Sequence, residues 1–173
     1  MAWEIDPFHS TVEFSATHLM INAIKGRFSE WGGTIHFDPQ RPENSWVKAR
    51  VSTASIWTGV AQRDAHLRSA AFLEVVRYPT MIFESTHVEL VDRNRGIVSG
   101  NLSLHGVTRP IAFHAEYTGI NRDSLTDAWH AGVQATTTID RRDFGMTFDQ
   151  INAGVILVGY KVHIEIHAEA SLI

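Results

Sequence analysis

Cysteine is absent from the 173-residue chain, which excludes disulfide scaffolds, thiol nucleophiles, iron–sulfur clusters and cysteine-ligated zinc. Positive charge is not in excess: 15 Lys and Arg against 19 Asp and Glu give a formal charge of -4, the opposite of a nucleic-acid footprint, so no nucleic-acid partner is expected. Long apolar runs are missing too. The longest, around residues 70–76 and 153–160, fall far short of the ~20 residues a membrane-spanning helix needs. The opening stretch Met1-Ala2-Trp3-Glu4-Ile5-Asp6-Pro7 has neither a basic start nor an apolar core, so no signal peptide and a cytoplasmic location are expected. Internal repeats, low-complexity tracts and linkers are lacking as well. The length then fits a single domain, residues 1–173, with 44% hydrophobic residues to build its core.

What the chain does have is period-2 alternation bounded by turn residues. Val12, Phe14, Ala16 and His18 share one face of a first strand, against Thr11, Glu13, Ser15 and Thr17. A second strand runs over residues 24–37, with Gly32-Gly33 suggesting a bulge or bend, and a third over 46–57. The pattern then turns helical over 60–76, where Leu67, Ala70, Ala71 and Val75 repeat at helical spacing. Thr58 is the candidate N-cap, and Tyr78-Pro79 closes the segment. Strands resume over 81–90, 96–105, 109–117, 128–139 and 155–168, with a tight turn at His105-Gly106 and a polar loop over 119–127. The expected fold is all-β: eight antiparallel strands and one substantial helix between strands 3 and 4. One helix cannot cover an open sheet of that size, and the short links favour a meander, so an up-and-down barrel is expected. A two-sheet Greek-key sandwich is the alternative.

Catalytic signatures are not evident. There is no Gly-x-Ser-x-Gly turn, no phosphate-cradling glycine loop and no metal-protease helix. His163, Glu165 and His167 alternate on the last strand at a spacing that could present metal ligands. They lie opposite Val162, Ile164 and Ile166, so the trio faces solvent if those three point inward, and no metal site is assigned.

Several motifs together resemble the YceI-like family. They are Asp6-Pro7-Phe8-His9-Ser10-Thr11-Val12-Glu13-Phe14 with His18, Lys25-Gly26-Arg27-Phe28, Thr58-Gly59 with residues 63–69, Tyr78-Pro79, His105-Gly106-Val107-Thr108-Arg109-Pro110, and residues 139–145. The resemblance spans essentially the whole chain. It implies a lipocalin-like barrel that binds a long-chain apolar amphiphile in its interior, such as a polyisoprenoid, an isoprenoid quinone or a similar lipid. No cofactor beyond such a lipid is implied. Relatives are often dimers and many are exported.

Alternation places Val12, Phe14, Ala16, Ile35, Phe37, Val47, Ala49, Val51, Phe83, Leu102, Leu104, Phe113, Trp129, Val133, Val162, Ile164 and Ile166 inside. Core packing is the simpler reading of each one. The resemblance implies instead that fourteen residues line a tunnel: Val12, Phe14, Ala16, Ile35, Phe37, Val47, Ala49, Phe83, Leu102, Phe113 and Trp129 of this set, together with Phe28, Leu67 and Phe144. His18, Lys25, Arg63 and His66 surround the connections expected to form the barrel mouth, where they would meet a polar head group. The plainer reading is that Arg63 and Asp64 fix the helix to the barrel, that His9, His66 and His105 are structural, and that Arg141-Arg142-Asp143 is a turn held by local ion pairs. Outward-facing Trp31, Trp46 and Trp57 are candidate anchors for a homodimer. The alternative function is a barrel isomerase or hydrolase using His18 as acid or base.

Overall fold

The computed structural model of the chain describes residues 1–152 and 155–173. The elements are β1 (Ala2–Ile5), β2 (Thr11–His18), β3 (Asn22–Phe28), β4 (Trp31–His36), β5 (Trp46–Ser52), β6 (Ile56–Trp57), α1 (Ala61–Arg68), β7 (Thr80–Leu90), β8 (Arg95–Leu104), β9 (Val107–Arg122), β10 (Trp129–Asp140), β11 (Ile151–Asn152), β12 (Val155–Ile156) and β13 (Lys161–Leu172). Short 3-10 turns lie at Pro42–Asn44, Thr53–Ser55 and Arg141–Phe144. No helix among the described residues is long and apolar enough to cross a membrane.

Closure is visible in the register. β13 lies along β10 from His130 to Asp140, and its other edge is divided between two strands. Its last residues pair with β1 and its first with β2. β1 in turn pairs with β4, and β2 with β3. The result is a closed eight-stranded antiparallel barrel in which β1 with β2, β3 with β4, and β5 with β6 are each one interrupted stave. The break at residues 6–10 has a chemical cause. Pro7 has no N–H to give a ladder, while Asp6 Oδ1 accepts the Phe8 N–H at 2.8 Å. Ser10 Oγ accepts the Glu169 N–H at 2.9 Å and donates to the Glu169 carbonyl at 3.2 Å, so the turn stays tied to β13.

The expected barrel and its interstrand helix are present, and the boundaries differ in instructive places. β1 adds a short stave fragment not foreseen from the sequence. Gly32 and Gly33 make no bulge: the β4–β5 register is unbroken, and a Cβ on Gly33 would lie 2.4 Å from the Lys48 carbonyl oxygen, so the glycine permits close approach of β5. The register shifts are instead at Ser85/His87 and Gly132/Val133. β9 continues through 119–122, where the sequence suggests a polar loop, and the final stave begins at Lys161, with Val155–Ile156 paired separately to β11. The expected strand over 155–168 also includes side chains outside the described ones.

The helix, Ala61–Arg68, is shorter than the expected span 60–76. It stops at Arg68, where the Ser69 hydroxyl donates to the His66 carbonyl at 2.6 Å. Residues 69–78 then run as turns, with Glu74 at φ 47°, a left-handed conformation that no helix continues through. Val60, not Thr58, is the N-cap, and it makes no side-chain capping bond. The His105-Gly106 turn is as expected. Both residues have positive φ, 54° and 72°, which a type I′ hairpin demands.

One capping carboxylate yields a pH prediction. Asp140 ends β10 and accepts the Arg142 backbone N–H at 3.0 Å and its Nη2 at 2.7 Å, with Lys161 Nζ at 3.5 Å. The Arg142 side chain is the main reason its carboxyl is held far below the usual range, against the opposing effect of burial. A depressed folded pKa contributes stability that is present above the unfolded value, near 4, and is lost as pH falls toward the folded one. Asp140→Asn is therefore expected to cost about 1.5–3 kcal/mol near neutral pH, with the deficit shrinking as denaturant melts are taken below pH 4. A deficit that stays constant down to pH 2 would show that the charge contributes nothing.

Candidate functional site

Closing the sheet turns every second side chain into one enclosed space. It forms a cavity of about 780 Å³, within the ~300–1,000 Å³ typical of a small-molecule site. Twelve of the fourteen residues assigned to a tunnel line it: Val12, Phe14, Ala16, Phe28, Ile35, Phe37, Val47, Ala49, Leu67, Phe83, Leu102 and Phe113. Val51, Leu104, Val133, Val162, Ile164 and Ile166 line it too, so the inward face read from alternation is the inward face observed.

Two of the fourteen do not line it. Trp129 has the inward parity of Ala131 and Val133, but it stands at the first rung of β10, opposite Arg122 and 43% exposed, past the end of the lined wall. Phe144 is buried at 1% exposure in the 3-10 turn beyond the cavity wall. Trp31, expected outside as a dimer anchor, points inward and lines the wall. Trp57 is exposed, with Arg27 over its ring.

The mouth is at the opposite end from the one inferred. The large hydrophobic lining residues that are well exposed are Met1, Trp46, Leu90, Tyr117 and Ile120, all beside the chain start and the connections 37–45, 91–94 and 123–128. At the other end the lining residues Phe72, Leu73, Leu104, Ile139, Arg141 and Met146 are buried. There the long connection 58–79 folds back over the barrel as a cap.

None of His18, Lys25, Arg63 and His66 lines the cavity. His18 ends β2 opposite Asn22 and bridges to Val158. Lys25 pairs with Ser15 and is exposed, on the face opposite Gly26. His66 presents its ring to Phe72 and Phe148 at 5.1 Å each. Arg63 donates through Nε to Thr58 Oγ1 at 2.7 Å and through Nη2 to the Thr58 carbonyl at 2.8 Å. Asp64, 4% exposed, accepts the Thr58 N–H at 2.9 Å and its hydroxyl. Arg63 and Asp64 thus fix the helix to the barrel, the plainer of the two sequence readings.

The lining is almost wholly apolar; apart from Glu13 of β2, whose carboxylate groups with Glu165 and His167, its polar residues lie at the two ends. At the mouth are His36, Ser45, Arg93 and Asn94, His36 stacked on Trp46 at 5.9 Å between centroids. At the floor is Arg141, 3% exposed. Only half of the Arg141-Arg142-Asp143 reading holds: Arg142 makes the local pair with Asp140, while Arg141 turns in. The signal for it was in the alternation. Arg141 is two residues beyond inward-facing Ile139, in phase with the wall.

On the outer surface, His163 Nδ1 lies 3.3 Å from Thr138 Oγ1, and its neighbours Glu165 and His167 are grouped with Glu13. The His167 Nε2 and Glu165 Oε1 atoms are 3.0 Å apart. Since Val162, Ile164 and Ile166 point inward, His163, Glu165 and His167 face away from the cavity. A second outer group joins Asp6, His9 and Glu169, with His9 Nδ1 2.6 Å from Asp6 Oδ2. This pair draws the Asp6 carboxyl below and the His9 imidazole above their ordinary pKa values, chiefly through that hydrogen bond.

Comparison with known proteins agrees with this architecture. The YceI-like domain matches residues 3–170. A UPF0312 protein of Pseudomonas savastanoi pv. phaseolicola is 39% identical over 138 residues, 80% of this chain and 71% of that protein. One from Azotobacter vinelandii is 38% identical over 141 residues, 82% and 73% of the two chains. Among solved structures, Burkholderia cenocepacia BcnA superposes with TM-score 0.84 at 17% identity, covering 95% of this chain and 98% of the other. The YceI protein of Campylobacter jejuni gives 0.77 at 27% identity over 91% and 90%. A polyisoprenoid binding domain from Saccharophagus degradans gives 0.73 at 17% identity over 99% and 98%. With the family match running almost from end to end over a closed barrel around an apolar cavity, this chain belongs to the YceI-like domain family.

Proposed function

We propose that the barrel binds one long-chain amphiphile, a polyisoprenoid, isoprenoid quinone or similar lipid, and carries it without chemical change. The observation that carries this reading is the cavity: apolar along its length, open at one end and buried at the other. Each CH₂ moved from water into such a space contributes about 0.8 kcal/mol before ordering costs, so chain burial alone supplies affinity. The Saccharophagus degradans neighbour is described as a polyisoprenoid binding domain, which is consistent with an interior of this kind.

The distribution of acid–base groups supports binding without turnover. The imidazole that could serve as acid or base, His18, does not line the cavity, and the polar lining residues His36, Ser45, Arg93, Asn94, Glu13 and Arg141 are spread along it rather than converging on one point. Organic extraction of the purified protein followed by mass spectrometry is expected to release a long-chain amphiphile near one per chain. Reloaded onto stripped protein and incubated, the compound should be recovered unaltered. Protein that holds no such compound and refuses it on reloading would overturn the binding reading, and conversion of the compound would overturn its non-catalytic part.

A further inference from the structure

Arg141 is a permanent cation placed where the rest of the wall is hydrocarbon. Its guanidinium donates through Nε to the Gly159 carbonyl at 3.1 Å, through Nη1 to the Met146 carbonyl at 2.7 Å and through Nη2 to the Val158 carbonyl at 3.0 Å. Its faces look onto the rings of Phe72 at 5.4 Å and Tyr160 at 5.0 Å. Five N–H donors are present on a guanidinium, and these contacts engage three. One hydrogen on each Nη nitrogen is without a partner among the described residues. No carboxylate is within ion-pair distance of it among the described residues. The nearby acids are engaged elsewhere, Asp140 with Arg142 and Lys161 and Asp149 with the Tyr160 hydroxyl.

A buried charge satisfied only by neutral carbonyls has lost its hydration without gaining a counter-ion. Here the missing partner has a place to come from, because the cation lines the floor of a cavity whose length is built for a chain. Arg93 at the mouth is the competing cation. It is exposed, so water and salt screen what it can offer an anion.

We propose that the amphiphile enters head first, that its head carries anionic oxygens such as a carboxylate, and that Arg141 receives this head at the floor while the chain runs up to the mouth. This rests on the lipid-binding reading and adds to it an orientation and a head-group class. An uncharged head of the same size would forgo a charge-assisted hydrogen bond in a desolvated site. Tail-first binding would place hydrocarbon against the guanidinium and leave its spare donors unanswered.

The test compares geranylgeranoic acid with geranylgeraniol, which share one chain, at pH 8 in low and high salt. The acid is expected to bind tenfold or more tighter, with a preference that persists in 0.5 M salt because the contact is buried. Arg141→Met should erase the preference. Because Arg141 also ties 146 to 158–159, that variant risks misfolding, so orientation is read independently in the unaltered protein. Hexadecanoic acid brominated at its terminal carbon should quench the fluorescence component that Trp46→Phe removes, since Trp46 is at the mouth. The 2-bromo isomer should spare that component and quench deeper tryptophan emission such as that of Trp31. Equal affinity of acid and alcohol, a preference abolished by salt, or the reverse quenching pattern would each overturn the head-first proposal while leaving lipid binding intact. Failure of both chains to bind would overturn the binding reading itself.

Discussion

Ala49→Trp is expected to reduce binding of a C16 to C20 lipid by at least about a hundredfold and to leave a folded protein melting close to the original temperature. Ala49 is on β5 with its methyl in the cavity wall, opposite Phe83 of β7 and Gly33 of β4. An indole grown from that point occupies the space a chain would fill. In a packed core the same change forces off-rotamer side chains and backbone shifts costing about 1–3 kcal/mol or more. In an open cavity it removes room for ligand instead. The pair of readouts is therefore decisive: lost binding with retained stability supports a ligand space, whereas unfolding shows that the interior is full and no lipid belongs there. Ala16→Trp, on β2, repeats the test from another wall.

Asp64→Ala is expected to destabilise the protein by roughly 3 kcal/mol. The carboxylate is buried and is the sole acceptor of two donors of Thr58, its N–H and its hydroxyl, and hydrogen bonds to a charged group contribute about 1.5–3 kcal/mol each time one is measured. Removal also leaves a buried N–H without a partner, which adds a desolvation penalty. For a chain of this length that corresponds to a fall of about 6–12 °C in melting temperature. Since Arg63 braces the same Thr58 from the other side, Arg63→Ala and the double variant should be markedly non-additive. A change under about 0.5 kcal/mol would show that the cap is held by apolar burial of Leu67, Phe72 and Leu73 instead.

The barrel was legible because period 2 survives closure. Each of Val12, Phe14 and Ala16 meets the same interior whether its sheet is read as flat or closed, so alternation alone sorted wall from surface. The mouth was not legible. A strand reports which face is buried and not which end of the cylinder is covered, and the covering is done by the connection 58–79, whose helical spacing announces a helix and not the end of the barrel it folds over. Placing the head-group site beside Lys25, Arg63 and His66 followed charge rather than coverage, and the structure shows those charges bracing the cap or facing outward. Trp129 failed for a related reason: correct parity on a strand says nothing about whether the strand still has a wall beside it. Arg141 was missed in the opposite direction. Its phase with Ile139 announced an inward side chain, but a charged residue beside Arg142 and Asp143 reads as solvent-facing until the backbone shows otherwise.

The way β1 closes the ring has a consequence for anyone who attaches something to this molecule. The Met1 amine donates to the Phe37 carbonyl at 3.2 Å and the Ile173 N–H to the Ala2 carbonyl at 3.1 Å, so both chain ends emerge side by side at the rim of the opening. A purification tag or fused domain at either end hangs over the entrance, where it competes with ligand for access and contaminates any affinity measured with it in place. The same adjacency makes the molecule a candidate for circular permutation. Joining residues 173 and 1 by a short linker and recutting within residues 123–128 would keep every stave and move the new ends to another sector of the rim.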